Sequence, residues 1–217
     1  MLAKLLKQIA QQLQRPHAGG APPGERRPGS WHHADLEWLA GLAADVLGDF
    51  AEIGVFRGAA FRKVAALAYS QDRLAHAFDS FQGMAPPQAE DGNQYPAGKF
   101  DIGGSGTFVQ LMNDAGVPRD AYRLWVGFVP ECFKEVPDTL RFAFAILDLD
   151  HYQPTVDGLK WLAPRMSPGG ILALDDYLES YDKLASKAIK EFLAGKPDFD
   201  TVAQFNQQLI LRKRQNP

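Results

Sequence analysis

Four aspartates, Asp148, Asp150, Asp175 and Asp176, are the residues whose types and spacing best suit chemistry. Asp148 and Asp150 close the apolar run FAFAILDLD, and Asp175-Asp176 directly follow the apolar run GGILAL. If these runs are neighbouring parallel strands, three or four carboxylates converge at one edge of a sheet. Carboxylates held together repel and raise one another's pKa unless a cation neutralises them. A hard divalent cation such as Mg2+, its shell completed by water and substrate oxygens, is the natural occupant. Helix capping is the competing role for single members, above all Asp150, which precedes a helical pattern. His151 follows, open to three roles: proton acceptor, neighbour of the cation, or helix-entry residue.

Two further segments suit a ligand. Glu52-Ile53-Gly54-Val55-Phe56-Arg57-Gly58 passes from a strand pattern into a helix pattern, and its glycines permit a tight turn and close backbone approach. The helix start behind it offers unpaired N–H groups. This E-x-G-x-x-x-G spacing departs from the G-x-G-x-x-G of dinucleotide sites, and Glu52 would set a negative field against a pyrophosphate. A glycine turn needed only for packing is the alternative. Asp79 ends the next strand pattern, 25 residues after Gly54. A doubly wound fold accepts hydrogen bonds from ribose hydroxyls at that place. A loop or N-cap aspartate is the other reading.

The elements that must position these residues follow from periodicity. From Gly48 onward short apolar runs alternate with helical patterns, as in βαβ units. Strands are predicted over 49–55, 74–78, 123–126, 142–149 and 170–174, and helices over 59–69, 107–115, 152–163 and 182–193. The run FAFAIL is apolar throughout, as a central parallel strand buried on both faces should be. Residues 201–204 and 208–213 flank Phe205-Asn206-Gln207 and predict a closing antiparallel hairpin. The expected class is α/β: a doubly wound, mostly parallel seven-stranded Rossmann-like sheet. Residues 82–105, with proline, glycine, acids and Tyr95 but no period, read as a long loop of the active-site-lid kind. Ahead of the core, Leu2, Leu5, Leu6, Ile9 and Leu13 give residues 1–14 an apolar helical stripe. Residues 15–29 read as a linker or arm, and a helix is predicted over 33–47. The expected division is a helical arm and linker at 1–47 and a catalytic domain at 48–217.

Composition sets the outer bounds. A chain of 217 residues with net charge −3 lacks the clustered Lys and Arg of a general nucleic-acid binder. Its one cysteine, Cys132, excludes an intramolecular disulfide or a cysteine metal cluster, fits a reducing cytoplasm, and has no histidine partner at a defined spacing. No run approaches the roughly 18 to 20 apolar residues of a membrane span. His17, His32 and His33 read as surface or substrate-facing groups without metal, and His76 as a sheet residue. The apolar stripe at the start makes a homo-oligomer the expected assembly.

In order, EIGVFRG, AFDSFQGM and LDLDHYQPTVDGLKWLAPRMSPGGILALDDY resemble the macrocin O-methyltransferase family, the TylF and MycF type of metal-dependent sugar methyltransferase. The resemblance runs from about Gly48 to Leu193. It implies a class I methyltransferase fold, S-adenosylmethionine as donor, and Mg2+ held by aspartates at the ends of the fourth and fifth strands. On this match Glu52, Gly54 and Gly58, with Val55 and Phe56 between them, form the cofactor turn. Asp79, Ser80 and Phe81 match the ribose-binding strand end, and Gly127, Phe128 and Val129 the segment reaching the adenine side. Asp148, Asp175 and Asp176 match the metal ligands, with Asp148 also bordering the cofactor and Asp150 in the neighbouring acidic position. The long loop takes the place of the substrate lid. The implied reaction is O-methyl transfer to a hydroxyl of a sugar or other vicinal diol, as in natural product biosynthesis, with Asp148, Asp150 or His151 taking the proton. A nucleotide-dependent oxidoreductase and a non-catalytic binding protein are the competing readings on the same fold.

Overall fold

A computed structural model describes residues 31, 33–91, 94–178, 181, 184–195, 197–205 and 207–215. The stripe expected over 1–14, the linker at 15–29, His17 and His32 lie outside the described residues. The elements in chain order are α1 (His33–Leu42), β1 (Asp49–Ile53), α2 (Phe61–Ser70), β2 (Ala75–Asp79), α3 (Ser105–Asp114), β3 (Tyr122–Val126) and β4 (Phe142–Leu147). After them come α4 (Tyr152–Leu162), β5 (Met166–Leu174), α5 (Leu184–Ala194), β6 (Phe199–Phe205) and β7 (Gln208–Lys213). They build one seven-stranded sheet in the order β3-β2-β1-β4-β5-β7-β6. β1 to β5 run parallel, and β7 pairs antiparallel with both β5 and β6. This is the architecture expected from the alternating pattern and the closing hairpin.

Alternation along the strands divides the core into two layers. Phe50, Phe144, Ile146 and Ile171 pack with Leu36 and Leu39 of α1, Val64 of α2 and Phe108 of α3. Ala51, Ile53, Leu147 and Leu172 face the other way, onto Leu159 and Leu162 of α4 and Ile189 of α5. Every residue of β4 is buried, which is why its sequence is continuously apolar. Each large side chain so buried contributes about 1.5–3 kcal/mol.

The two largest differences from the expected boundaries have identifiable reasons. The first helix stops at Leu42 rather than Leu47, because the Arg73 guanidinium takes the carbonyls of Ala44, Val46 and Gly48 at 2.6, 2.5 and 3.0 Å. The chain then turns into β1 through Gly48, at φ 124°, where a Cβ would meet the Arg141 carbonyl oxygen at 2.7 Å. Leu36, Leu39, Ala40 and Ala43 are all in the first core layer, so this segment packs onto the sheet. β5 starts at Met166, four residues before the expected Gly170, since a register shift between Phe142 and Phe144 lets the Pro168-Gly169-Gly170 stretch stay within the strand.

The chain visits β2 and β3 on one side of β1 and β4 and β5 on the other, so the order switches between β1 and β4. Ligands of open α/β sheets bind in the crevice beyond the carboxyl ends at such a switch. Here the ends are stitched: Asp148 N–H donates to the Ile53 carbonyl at 2.9 Å and Gly54 N–H to the Phe78 carbonyl at 2.9 Å. Gly54 adopts φ 86°, and a Cβ there would overlap the carbonyl oxygen of Asp148. Gly54→Ala is therefore expected to lower stability by more than about 2 kcal/mol, read as a shifted urea midpoint. A wild-type midpoint would contradict this close approach.

Candidate active site

Four strand ends lead into non-glycine residues with left-handed backbone: Phe56 after β1, Phe81 after β2, Asp150 after β4 and Asp176 after β5, at φ 48°, 57°, 56° and 61°. Such conformations cost on the order of 1–3 kcal/mol each and gather at functional sites. Their concentration on one edge of this sheet marks the crevice independently of residue chemistry.

Asp148, Asp150 and Asp176 each bring a carboxylate oxygen to within 4.8 Å of the other two. Asp175, which the sequence groups with them, is buried beside this set and hydrogen-bonds to Asp148 and to Gln208 of β7. One Asp175 oxygen and one Asp176 oxygen are buried without a hydrogen-bond partner. The other Asp176 oxygen accepts from the Gln207 amide at 3.3 Å. Burial, then the charges of Asp175, Asp176 and Asp150, hold the Asp148 carboxyl well above the usual range. Burial and the neighbouring Asp150 and Asp175 push Asp176 up to about 8. Asp175 rises to about 6, chiefly through burial. Clustered buried acids with orphaned oxygens match the donor set of a hard dication, and Mg2+ fits the residues present.

The turn beyond β1 is held from the next strand. Asp79 accepts the N–H groups of Val55 and Phe56 at 2.9 Å each and that of Phe81 at 2.7 Å. Three of the roughly four lone-pair sites on this carboxylate are thus used within the chain. Gly58, at φ 74°, is fixed by α3, where a Cβ would meet Met112 Cε at 2.5 Å. Left-handed backbone at both positions, and the Asp148 carbonyl at the first, call for glycine here. Ser80 bonds to the Gly83 carbonyl, and Phe81 is buried against Phe108, so these two shape the loop base. Phe56 and Phe128 remain exposed beside the crevice, and Gly127 N–H bonds to the Asp79 carbonyl. Glu52 is buried with one oxygen unpartnered; burial, then Asp79 and Asp175, raise its pKa well above the ordinary value. Its unpartnered oxygen is free to meet a polar group of a ligand at the turn.

The long loop supplies residues that no spacing announced. The Tyr95 phenol hydrogen-bonds to the Asp150 carboxylate, and burial with the nearby acids pushes it up to about 12. Lys99 lies over the Tyr95 ring at 4.2 Å. Asp91 is buried against His151, whose own ring is 1% exposed. Gln207 and Gln208 arrive from the hairpin. Tyr95 alone left a trace in the sequence, as an aromatic side chain in an aperiodic polar stretch. His76 bonds to Asp49 and Trp125 inside the sheet, and burial raises the Cys132 thiol to about 12, so both keep their expected inert roles. A surface cavity of about 620 Å3, lined by Asp45, Arg141, Ser167 and Arg212 among others, lies at the opposite ends of the strands and away from these acids.

The sequence profile of the macrocin-O-methyltransferases matches residues 24–196. The chain belongs to the macrocin O-methyltransferase family. Among relatives in this family, the mycinamicin III 3''-O-methyltransferase of Micromonospora griseorubida is 34% identical over 148 residues, 63% of this chain and 58% of that protein. A tetracenomycin-type rhamnosyl 4'-O-methyltransferase of Streptomyces olivaceus is 33% identical over 145 residues, 63% of this chain and 55% of that one. The chain thus spans little more than half the length of these relatives. In fold it is similar to the O-methyltransferase NovP, with a TM-score of 0.71 at 20% identity over 98% of both chains. It also resembles TomG of Streptomyces achromogenes in complex with SAM, with a TM-score of 0.58 at 14% identity over 99% of this chain and 90% of that one. Among the described residues no helix is long and apolar enough to cross a membrane.

The raised acids make stability depend on pH. Below about pH 4 both folded and unfolded chains hold these protons; above it the unfolded chain releases them while the folded chain retains them up to about 6 at Asp175 and about 8 at Asp176. Stability from this set is therefore lost as pH rises through those values. In chelator the melting temperature is expected to fall between about pH 5 and pH 8, and Mg2+ to raise it most at the alkaline end. Melting curves at pH 8 that coincide in chelator and in Mg2+ would remove the cation from this site.

Proposed function

We propose that the protein moves a methyl group from S-adenosylmethionine to a hydroxyl of a sugar or other vicinal diol, with Mg2+ at the acidic cluster. The observation that carries this is the meeting of the β4 and β5 acids with the glycine turn of β1 at the point where strand order switches. Family membership and the sugar-methylating names of the relatives support the substrate class. The methyl donor supplies an electrophilic carbon on a sulfonium, and the divalent cation supplies Lewis-acid polarisation of neighbouring hydroxyl oxygens.

The residues divide the remaining work. Asp148, Asp175 and Asp176 would hold the cation; Asp148 hydrogen-bonds to Asp175 and stands with Asp176, so one ion in place of shared protons satisfies all three. Asp150 accepts the proton that the acceptor hydroxyl gives up. Burial raises its pKa, which suits a proton acceptor, while hydrogen bonds from Asp176 and Tyr95 and the nearby His151 and Lys99 oppose that rise. Glu52 and the turn at 54–58 would bind the donor, with Asp79 keeping that turn in shape. Phe128 would border its adenine. Phe56, Tyr95 and Phe100 form an aromatic wall beside Asp150 on which a sugar ring can lie.

Asp150→Asn is expected to lower methyl transfer at least about 100-fold while Mg2+ and S-adenosylhomocysteine still bind, measured by calorimetry. Asp175→Asn is expected to weaken Mg2+ binding first. Loss of Mg2+ binding in the Asp150 variant with retention in the Asp175 variant would exchange the two roles. Undiminished transfer in excess chelator would eliminate the cation.

A further inference from the structure

We infer that Asp91, a buried carboxylate of the long loop, is a positioning residue that clamps the turn at His151 and thereby holds Asp150 at the acidic cluster. The inference rests on the assignment of proton acceptance to Asp150.

α4 begins at Tyr152, and the side chain of its own N-cap residue, His151, makes no capping hydrogen bond. That cap comes from 61 residues away: Asp91 Oδ1 accepts the Tyr152 N–H at 2.6 Å. Asp91 Oδ2 accepts the Gln88 N–H at 2.8 Å and faces His151 Nδ1 at 3.8 Å. The other ring nitrogen, Nε2, lies 3.1 Å from the Tyr95 carbonyl oxygen. A carbonyl only accepts, so Nε2 carries the hydrogen. The loop therefore holds the ring through Nε2 and packs Asp91 beside Nδ1, and the ring is closed to solvent. The structure thus does not present His151 to an acceptor hydroxyl, the role the sequence left open for it.

Asp150 sits between these fixed points. Its carboxylate meets Tyr95, whose carbonyl holds His151, and its own carbonyl accepts the Ala185 N–H at 2.9 Å. Thr155 Oγ1 donates to the His151 carbonyl at 2.7 Å. Asp91 is the member of this arrangement that ties the loop to the helix start and to His151 at once. A neutral residue such as Ser would cap a helix without the desolvation penalty of a buried carboxylate. The acid supplies an acceptor oxygen to each of two backbone donors, Tyr152 N–H from the helix start and Gln88 N–H from the loop.

The test uses the full chain with Asp91→Ala, Asp91→Asn, His151→Gln and the double variant. Asp91→Ala is expected to lower kcat roughly 10- to 100-fold while donor KM and S-adenosylhomocysteine affinity stay within about twofold. His151→Gln, which keeps a donor for the Tyr95 carbonyl, should lose less than Asp150→Asn. The Asp91→Ala/His151→Gln double variant should lose no more than the worse single variant, because the two act as one unit. Residue-resolved hydrogen exchange supplies a readout free of turnover: the Tyr152 and Ala185 amides should lose protection in Asp91→Ala while β4 and β5 amides keep theirs. Unchanged protection at Ala185, a kcat within twofold of wild type, multiplying losses, or a His151→Gln loss as large as that of Asp150→Asn would each overturn the inference. If Asp91→Ala does not fold, Asp91→Asn, of the same size, carries the same measurements. Should the wild-type protein methylate nothing, the proposed function fails, and exchange at Ala185 still decides the clamp.

Discussion

The approach of the β1 turn to the peptide of Asp148 is the constraint on which the rest of the crevice depends. The amide of Asp148 bonds to β1 and its carbonyl oxygen packs against Gly54, so that residue's backbone is fixed from the β1 side. With the backbone so fixed, the side chain of Asp148 is the part left for chemistry. Asp79 performs the matching service from the other flank, drawing the N–H groups of Val55 and Phe56 toward β2. Donor turn and acidic cluster are thereby halves of a single backbone arrangement, and neither can shift without the other.

That rigidity explains how the fold tolerates so much like charge in little space. Strand ends anchored by backbone bonds cannot splay to relieve repulsion, so the acids respond by retaining protons and hydrogen-bonding to one another. The left-handed backbone at Asp150 and Asp176 is part of the same compromise: local strain is accepted because strands buried on both faces over-determine the position. The amides of Gln207 and Gln208 soften the result without neutralising it.

Much of this was legible in the sequence, for reasons that are local. β4 announces itself because a strand buried on both faces needs apolar residues at every position, and the acids that follow it mark where burial ends. The hairpin was equally readable from two strand-like runs around a short polar turn. What escaped depends on contacts between distant segments. The end of α1 is decided by Arg73, which sits beyond the next helix. The neighbours of Gly54 and Gly58, Asp148 and Met112, are equally remote in sequence, and a permissive backbone looks alike whether it admits a ligand or a neighbouring chain segment. Asp175 and Asp176 look equivalent as a pair, yet successive side chains diverge, and only Asp176 reaches the three-carboxylate group directly. Asp91 had no signature at all, being one acid in a proline- and glycine-rich stretch.

The hairpin carries a consequence for the order in which the chain is made. Gln207, which bonds to Asp176, leaves the ribosome 31 residues after it, and β7 must slot in antiparallel between β5 and β6. Until then β5 is an unpaired edge and its terminal acids lack their amide partners. The helices and parallel strands are thus synthesised before the strand that both seals this side of β5 and tempers its most heavily charged end.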